Sequence, residues 1–288
     1  MIDLGPLPQL LVSGLLAGLV FALIAMGLTL IFGVMDVVNF AHGEFLMVAM
    51  YATFGLSLLG LQPLAALPLV AIATFVLGAA IYRVFVRRLL AGPPEATIFG
   101  TFGLLVLFQG LAQYFLTSDL RSVNNAWFGG TLQAGPIRVG EADLVEGIGA
   151  LVIAVLLYCF IEYTETGRAM RATSEDRMAA SLMGVDVQRM NLLAWGIGSA
   201  CVGAAGALLM LTYQVYPRVG AEFALTAFVV VALGGFGSIG GAFIGALLVG
   251  LVEVLGGFYL SPAIKLIPVY CLYLVVVLLR PQGLLGRR

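Results

Sequence analysis

Charge is scarce in this sequence: Asp, Glu, Lys and Arg make up 10% of its 288 residues, while 61% are hydrophobic. A soluble domain of this length needs far more charge to cover its surface. The mean hydropathy of +1.09 instead puts the chain in the membrane class. A net charge of -1 offers nothing to nucleic acid and no polybasic membrane-surface patch. The 3 cysteines, Cys159, Cys201 and Cys271, lie far apart inside apolar runs, which argues against a disulfide scaffold or a metal site. The lone histidine, His42, has no second ligand at metal spacing, and neither G-x-S-x-G nor H-E-x-x-H occurs. Lys265 is the single lysine and no glycine-rich loop precedes it, so the chain is not a P-loop ATPase. The first ten residues contain no Lys or Arg, so the first apolar segment is expected to stay in the mature protein rather than leave as a signal.

What the sequence does have is apolar runs. A helix needs roughly 20 mostly apolar residues to cross the hydrocarbon core. Candidates are 10–32, 43–61, 64–86, 96–116, 145–161, 191–213, 223–233, 239–255 and 263–279. This predicts one all-α polytopic membrane domain, 1–288, with eight or nine transmembrane or re-entrant helices. The run 223–233 is short and meets "GGFGSIGG" at once, which predicts a broken or re-entrant segment lying inside protein or along a wet cavity. If all nine cross and the C-terminus is cytoplasmic, ten of the 14 basic residues fall inside and four (Arg121, Arg138, Arg218 and Lys265) outside. That bias places the loop 162–190 in the cytoplasm and 117–146 outside. In the inner loop Met178, Leu182 and Met183 are spaced to share one helical face. They fit either a short amphipathic helix pressed on a protein partner or an ordinary solvated loop. Three series with small-xxx-small spacing (Gly14, Gly18, Ala22; Ser199, Gly203, Ala207; Gly237, Gly241, Gly245) allow close helix approach. "HGEFLM" from His42 and "GGAFIG" from Gly240 form a faint internal echo, a pointer to paired interrupted segments.

Ionisable groups within spanning segments mark function by default. Asp36, Asn39, His42 and Glu44 form one cluster, whose first three members would share a stripe if the stretch were helical. The cluster reads as part of a pathway or gate, with a network satisfying a broken helix as the alternative. Glu253 lies in mid-segment, where it could pair with Lys265 or face a neighbouring subunit.

Four ordered stretches carry a family resemblance: "FGVMDVVNFAHGEFLMVAMY" from Phe32, "GRAMRATSEDRMAASLMGVD" from Gly167, "ALGGFGSIGGAFIGALLVGLVE" from Ala232 and "RPQGLLG" from Arg280. Together they resemble the high-affinity branched-chain amino acid ABC permeases, of the LivH type. The resemblance implies a permease subunit in a bacterial cytoplasmic (inner) membrane. Its implied partners are a second permease, two cytoplasmic ABC ATPases that use ATP and Mg, and an external solute-binding protein met by a region including Trp127–Gly130. The chain itself would bind no cofactor and do no covalent chemistry. The implied ATPase-coupling residues are Glu175, Asp176, Met178, Ala179, Ala180, Leu182, Met183 and Gly184, with Met178 where many ABC permeases carry glutamate. Asp36, Asn39, His42, Gly43 and Glu44, with Gly234, Gly235, Gly237, Gly240 and Gly241, would form the pathway or gate. The implied substrate is a branched-chain or related amino acid, with urea or short amides as alternatives. An ion-gradient carrier acting alone and a non-transport membrane scaffold are rival readings.

Overall fold

The computed structural model describes residues 6–123, 128–135 and 137–286. Trp127 of the expected outer contact region, and the basic residues Arg287 and Arg288, therefore lie outside the described residues. In chain order come α1 (Leu7–Met35), α2 (His42–Leu58) and α3 (Pro63–Ile81), which runs through a π-turn (Tyr82–Val86) into α4 (Arg87–Leu89). Next are α5 (Pro94–Leu116), the hairpin β1 (Thr131–Ala134) and β2 (Ile137–Gly140), α6 (Glu141–Tyr163), α7 (Glu165–Glu175) and α8 (Arg177–Leu182). The chain finishes with α9 (Val187–Leu209), α10 (Val219–Gly234), α11 (Ile239–Tyr259), a 3-10 turn (Pro262–Ile264) and α12 (Ile267–Leu279). Among the described residues 7 helical runs are long and apolar enough to cross a membrane, counting Pro63–Leu89 and Pro262–Leu279 as one run each. The all-α polytopic class therefore holds.

Two helices form the centre. The most apolar windows of α1 and α9 are 72% and 78% buried, against 17% for α5 and 6% for the run containing α12. The small-residue series explain how backbones come this close. A Cβ on Gly14 or Gly18 would sit 2.9 Å from the Cα of Leu251 or Leu247, so α1 and α11 pack antiparallel with no side chain between them. Gly27 meets the Gly198 carbonyl on α9 in the same way, and Gly203 and Ser199 pack against Thr74 and Gly78 of α3.

Helices α2 and α10 are the short ones, 17 and 16 residues, or about 24–26 Å against a core of roughly 30 Å. Irregular backbone makes up the difference. Asp36 turns left-handed at the end of α1 (φ 54°, ψ 39°), and its N–H caps Phe32 O. Residues 36–41, which are not helical, then run back along α1. At about 3.3 Å per residue they reach the level of Ile24, some three turns or roughly 16 Å above Met35. There α2 begins. This overturns the expected helical stripe: Asp36 stays at the end of α1 while Asn39 and His42 lie far deeper.

Helix α10 mirrors this arrangement from the other side. It starts at Val219, earlier than the apolar run suggests, and follows the second half of α1: Phe223 stacks near Phe21 (centroids 6.4 Å apart), and Gly33 approaches Gly237. Left-handed glycines at Gly235 (φ 103°) and Gly237 (φ 78°) make the reversal into α11, a conformation glycine adopts without penalty. The last carbonyls of α10 are capped from a distance. Leu284 N–H donates to Leu233 O (2.8 Å) and Leu285 N–H to Gly234 O (3.0 Å), so the terminal "RPQGLLG" folds back to satisfy a helix end.

Candidate functional site

The deepest polar cluster is built by the start of α2. Asn39 makes an Asx turn, its Oδ1 accepting from Ala41 N–H (3.1 Å), while its carbonyl accepts from His42 N–H (3.2 Å). That turn ends the extended leg and launches the helix. His42 Nε2 donates to the Ile24 carbonyl on α1 (3.0 Å), which pins the helix start at that depth. Glu44 Oε1 accepts from Gln109 Nε2 of α5 (2.9 Å). Asn39, His42 and Glu44 are all fully buried, and Asn39 Nδ2, His42 Nδ1 and Glu44 Oε2 find no partner. A buried cluster carrying both donors and acceptors with unused capacity is costly to keep.

Beside it, Gly43 packs directly on Gly220 at the start of α10, each carbonyl lying where the other's Cβ would be. Two helix N-termini thus meet at mid-depth, an arrangement that concentrates positive dipole ends. Gly220 and Gln109 are the residues sequence reasoning missed. "VGAEF" from Val219 does carry a signal, a glycine shortly followed by Glu-Phe as in "HGEF". The echo read from sequence likened "HGEFLM" to "GGAFIG"; the glycine that packs on Gly43 is Gly220 of "VGAEF". Gln109 has no such local mark.

The remaining pathway residues lie toward the other end of α1. Gly234 and Gly241 cross backbone to backbone where α10 turns into α11. Asp36, Gly237 and Gly240 line a cavity of about 1280 Å³ between the end of α1, α7 and the glycine turn. Arg168, Arg171 and Arg177 also line it, balanced by Asp36, Glu162 and Glu175. Arg171 pairs with Glu162 (2.5 Å), and Arg177 donates to Val34 O at the end of α1 (3.3 Å). The structure therefore separates the sequence-predicted set into a buried group at the α2 start and an open group at this face.

That face also carries the expected coupling residues, and they are helical rather than loop. Glu175 ends α7; Asp176 caps α8, its Oδ1 accepting from Met178 N–H (2.8 Å) and Ala179 N–H (2.9 Å). Ala180 is buried against the bundle, whereas Met178, Leu182 and Met183 are 76%, 83% and 85% exposed. Gly184 closes the helix in a left-handed turn (φ 86°). Among the described basic residues Arg83, Arg87, Arg88, Arg168, Arg171, Arg177, Arg189 and Arg280 gather on this side, while Arg121, Arg138 and Lys265 lie at the opposite end and Arg218 directly precedes α10.

At that opposite end Lys265 Nζ meets Glu253 Oε1 at 2.6 Å, so the pair considered from sequence forms. Glu146, not singled out from sequence, is buried and accepts from Thr212 Oγ1 (2.6 Å). Among the described residues no group of three His, Cys, Asp or Glu could hold a metal ion.

Comparison with known proteins agrees along nearly the whole chain. A family model described as branched-chain amino acid transport system / permease component matches residues 10–278. The chain is 32% identical to the high-affinity branched-chain amino acid transport system permease protein LivH of Salmonella typhimurium, covering 97% of this chain and 95% of that one. It is 31% identical to the permease protein BraD of Pseudomonas aeruginosa, with the same coverage. A probable branched-chain amino acid transport permease protein LivH from Methanocaldococcus jannaschii is 27% identical over 91% of this chain and 84% of its own length. No solved structure matches at a significant level.

Proposed function

Because this chain belongs to the branched-chain amino acid transport permease family, we propose that it is the membrane-spanning subunit of an ATP-driven importer for branched-chain amino acids, powered by partner ATPases. The observation that carries the ATP-driven part is α8. Three large apolar side chains stand in the open on the face richest in arginine, where no lipid tail would cover them. Such a patch fits a protein partner. The arginine excess assigns this face to the cytoplasm, the side on which ATP is available, and the chain has no phosphate-binding loop of its own.

In this reading a nucleotide-driven motion of the partners pushes on α8. The force passes through the Asp176 cap to α7 and through Arg177 to the end of α1. From α1 it reaches the two short helices, since His42 hangs from Ile24 and Phe223 rests on Phe21. A second permease chain would complete the route, and an external solute-binding protein would load it in the inner membrane of a bacterial cell. Alternating access then consists of opening the Gly43–Gly220 crossing on one side and the Gly234–Gly241 crossing on the other. A zwitterion passing between would meet helix dipole ends and polar groups in place of lipid.

The test is Leu182→Asp in cells that carry the complete importer, with leucine uptake, ATPase stimulation and membrane level measured together. Uptake and stimulation should fall while the level holds. Unchanged uptake, or proton- or sodium-driven uphill leucine flux by the purified chain alone, overturns the proposal. Leu182 suits this test better than Ala180, whose burial means that Ala180→Arg would also disturb packing.

A further inference from the structure

Toward the outer end of the bundle a buried carboxylate is only half satisfied. Glu253 on α11 is only 8% exposed, yet one of its oxygens, Oε2, has no partner. Its other oxygen holds Lys265 Nζ, whose side chain is 42% exposed on the short link to α12. Glu222, in the first turn of α10, accepts from the Tyr216 hydroxyl, and Glu146 accepts from Thr212. The charges of Lys265, Glu253, Glu146 and Glu222 all act on Tyr213, and those of Glu253 and Glu222 on Lys265. Glu253 and Glu222 therefore both act on Lys265. The wall beside them is aromatic: Tyr213 stands edge-on to Phe223 at 5.4 Å, and Phe223 leads on to Phe21.

We propose that Glu253, with Glu222 near it, is a receptor for the primary ammonium of an amino acid, and that Lys265 is its built-in competitor. The chain already seats a primary ammonium there, at a charge-assisted distance, on a flexible and half-exposed tether. An incoming α-ammonium can replace it with the same three donors. The unpartnered oxygen favours the newcomer, and the aromatic wall accommodates a branched aliphatic side chain. Displaced Lys265 would loosen the outer end of α12, since this ion pair ties that link to α11. The site reaches the first turn of α10, where Glu222 lies two residues from Gly220 of the Gly43–Gly220 crossing, so occupancy of the site and opening of the crossing share an element. The ligand class rests on the amino-acid reading above.

The test uses the full-length chain in lipid nanodiscs and three probes: L-leucine, 4-methylpentanoate, which lacks the ammonium, and isopentylammonium, which lacks the carboxylate. Isopentylammonium should compete with leucine, and 4-methylpentanoate should bind at least about tenfold more weakly. Lys265→Met should tighten isopentylammonium several-fold. Adding Glu253→Gln to Lys265→Met should weaken it by about tenfold or more, and Glu253→Asp in the same background should restore part of the loss. The Lys265→Met background leaves no unpaired lysine, so a monodisperse double variant separates lost recognition from lost folding. Failure of Lys265→Met protein to bind isopentylammonium overturns the inference, as does indifference to Glu253→Gln or competition by sodium alone. Full leucine uptake by an importer carrying Glu253→Gln would remove this site and leave the transport function standing. Absent leucine uptake with ammonium binding retained would do the reverse.

Discussion

The crossing of Gly43 with Gly220 and the helix α8 are opposite answers to one problem, that of covering apolar or backbone surface. At the crossing two backbones touch and nothing else fits; the contact is complete within the chain. On α8 the chain supplies Met178, Leu182 and Met183, and nothing among the described residues covers them. Interiors that are finished tolerate no added atom. Surfaces that are unfinished tolerate substitution structurally and lose only what docks there. The difference teaches which parts of a membrane subunit can be read as its own architecture and which as half of a contact.

Breaking the first side should give the largest effect. Gly43→Val puts a branched Cβ where the Gly220 carbonyl lies, at a cost of at least about 3 kcal/mol. Loss of monodisperse protein on size-exclusion chromatography is the expected result. Next comes the unfinished side: Leu182→Asp should cut uptake about tenfold or more with the same elution profile as the parent. If instead Gly43→Val were well folded and Leu182→Asp were not, the comparison would be inverted. A smaller effect tests the group that fixes the depth of the crossing. His42→Ala removes the donor to Ile24 O and leaves a void, worth about 2 kcal/mol and visible as a lower melting temperature in detergent. His42→Gln, which can still donate, should recover part of it. Gln109→Leu strips Glu44 of its partner at about 1–2 kcal/mol, with a further cost in uptake if α5 must stay attached to α2. At the bottom of the scale, Phe102→Leu on the exposed face of α5 should stay within about 0.5 kcal/mol.

The pattern of success in reading the sequence follows the range of the interactions. Glycine spacing marked α1 and α9 as helices that neighbours approach closely, because a helix backbone can come near only where side chains are small, but it did not say which helices those neighbours are. The apolar face of α8 was visible as periodicity, although its Asp176 cap and separation from α7 were not. The stretch after α1 misled: Asp36, Asn39 and His42 have helical spacing, but a left-handed turn and an Asx turn take them out of the helix. Asn39 prefers that role for a local reason, its side chain competing with the helix for backbone N–H groups. Gln109 lies 65 residues from Glu44, and Leu284 of the "RPQGLLG" cap lies 51 residues beyond Leu233 at the end of α10; neither leaves a local trace.

Composition and period alone determined that this chain lives in a membrane and roughly where it crosses. Burial of apolar runs and the demand for satisfied backbone groups are properties of each segment, so each segment declares them. Only the tertiary structure decided which glycine meets which, how deep α2 begins, and which carboxylate holds the lysine. Those outcomes depend on distances between segments that are remote in sequence, and such distances are set by the packing of all the helices at once.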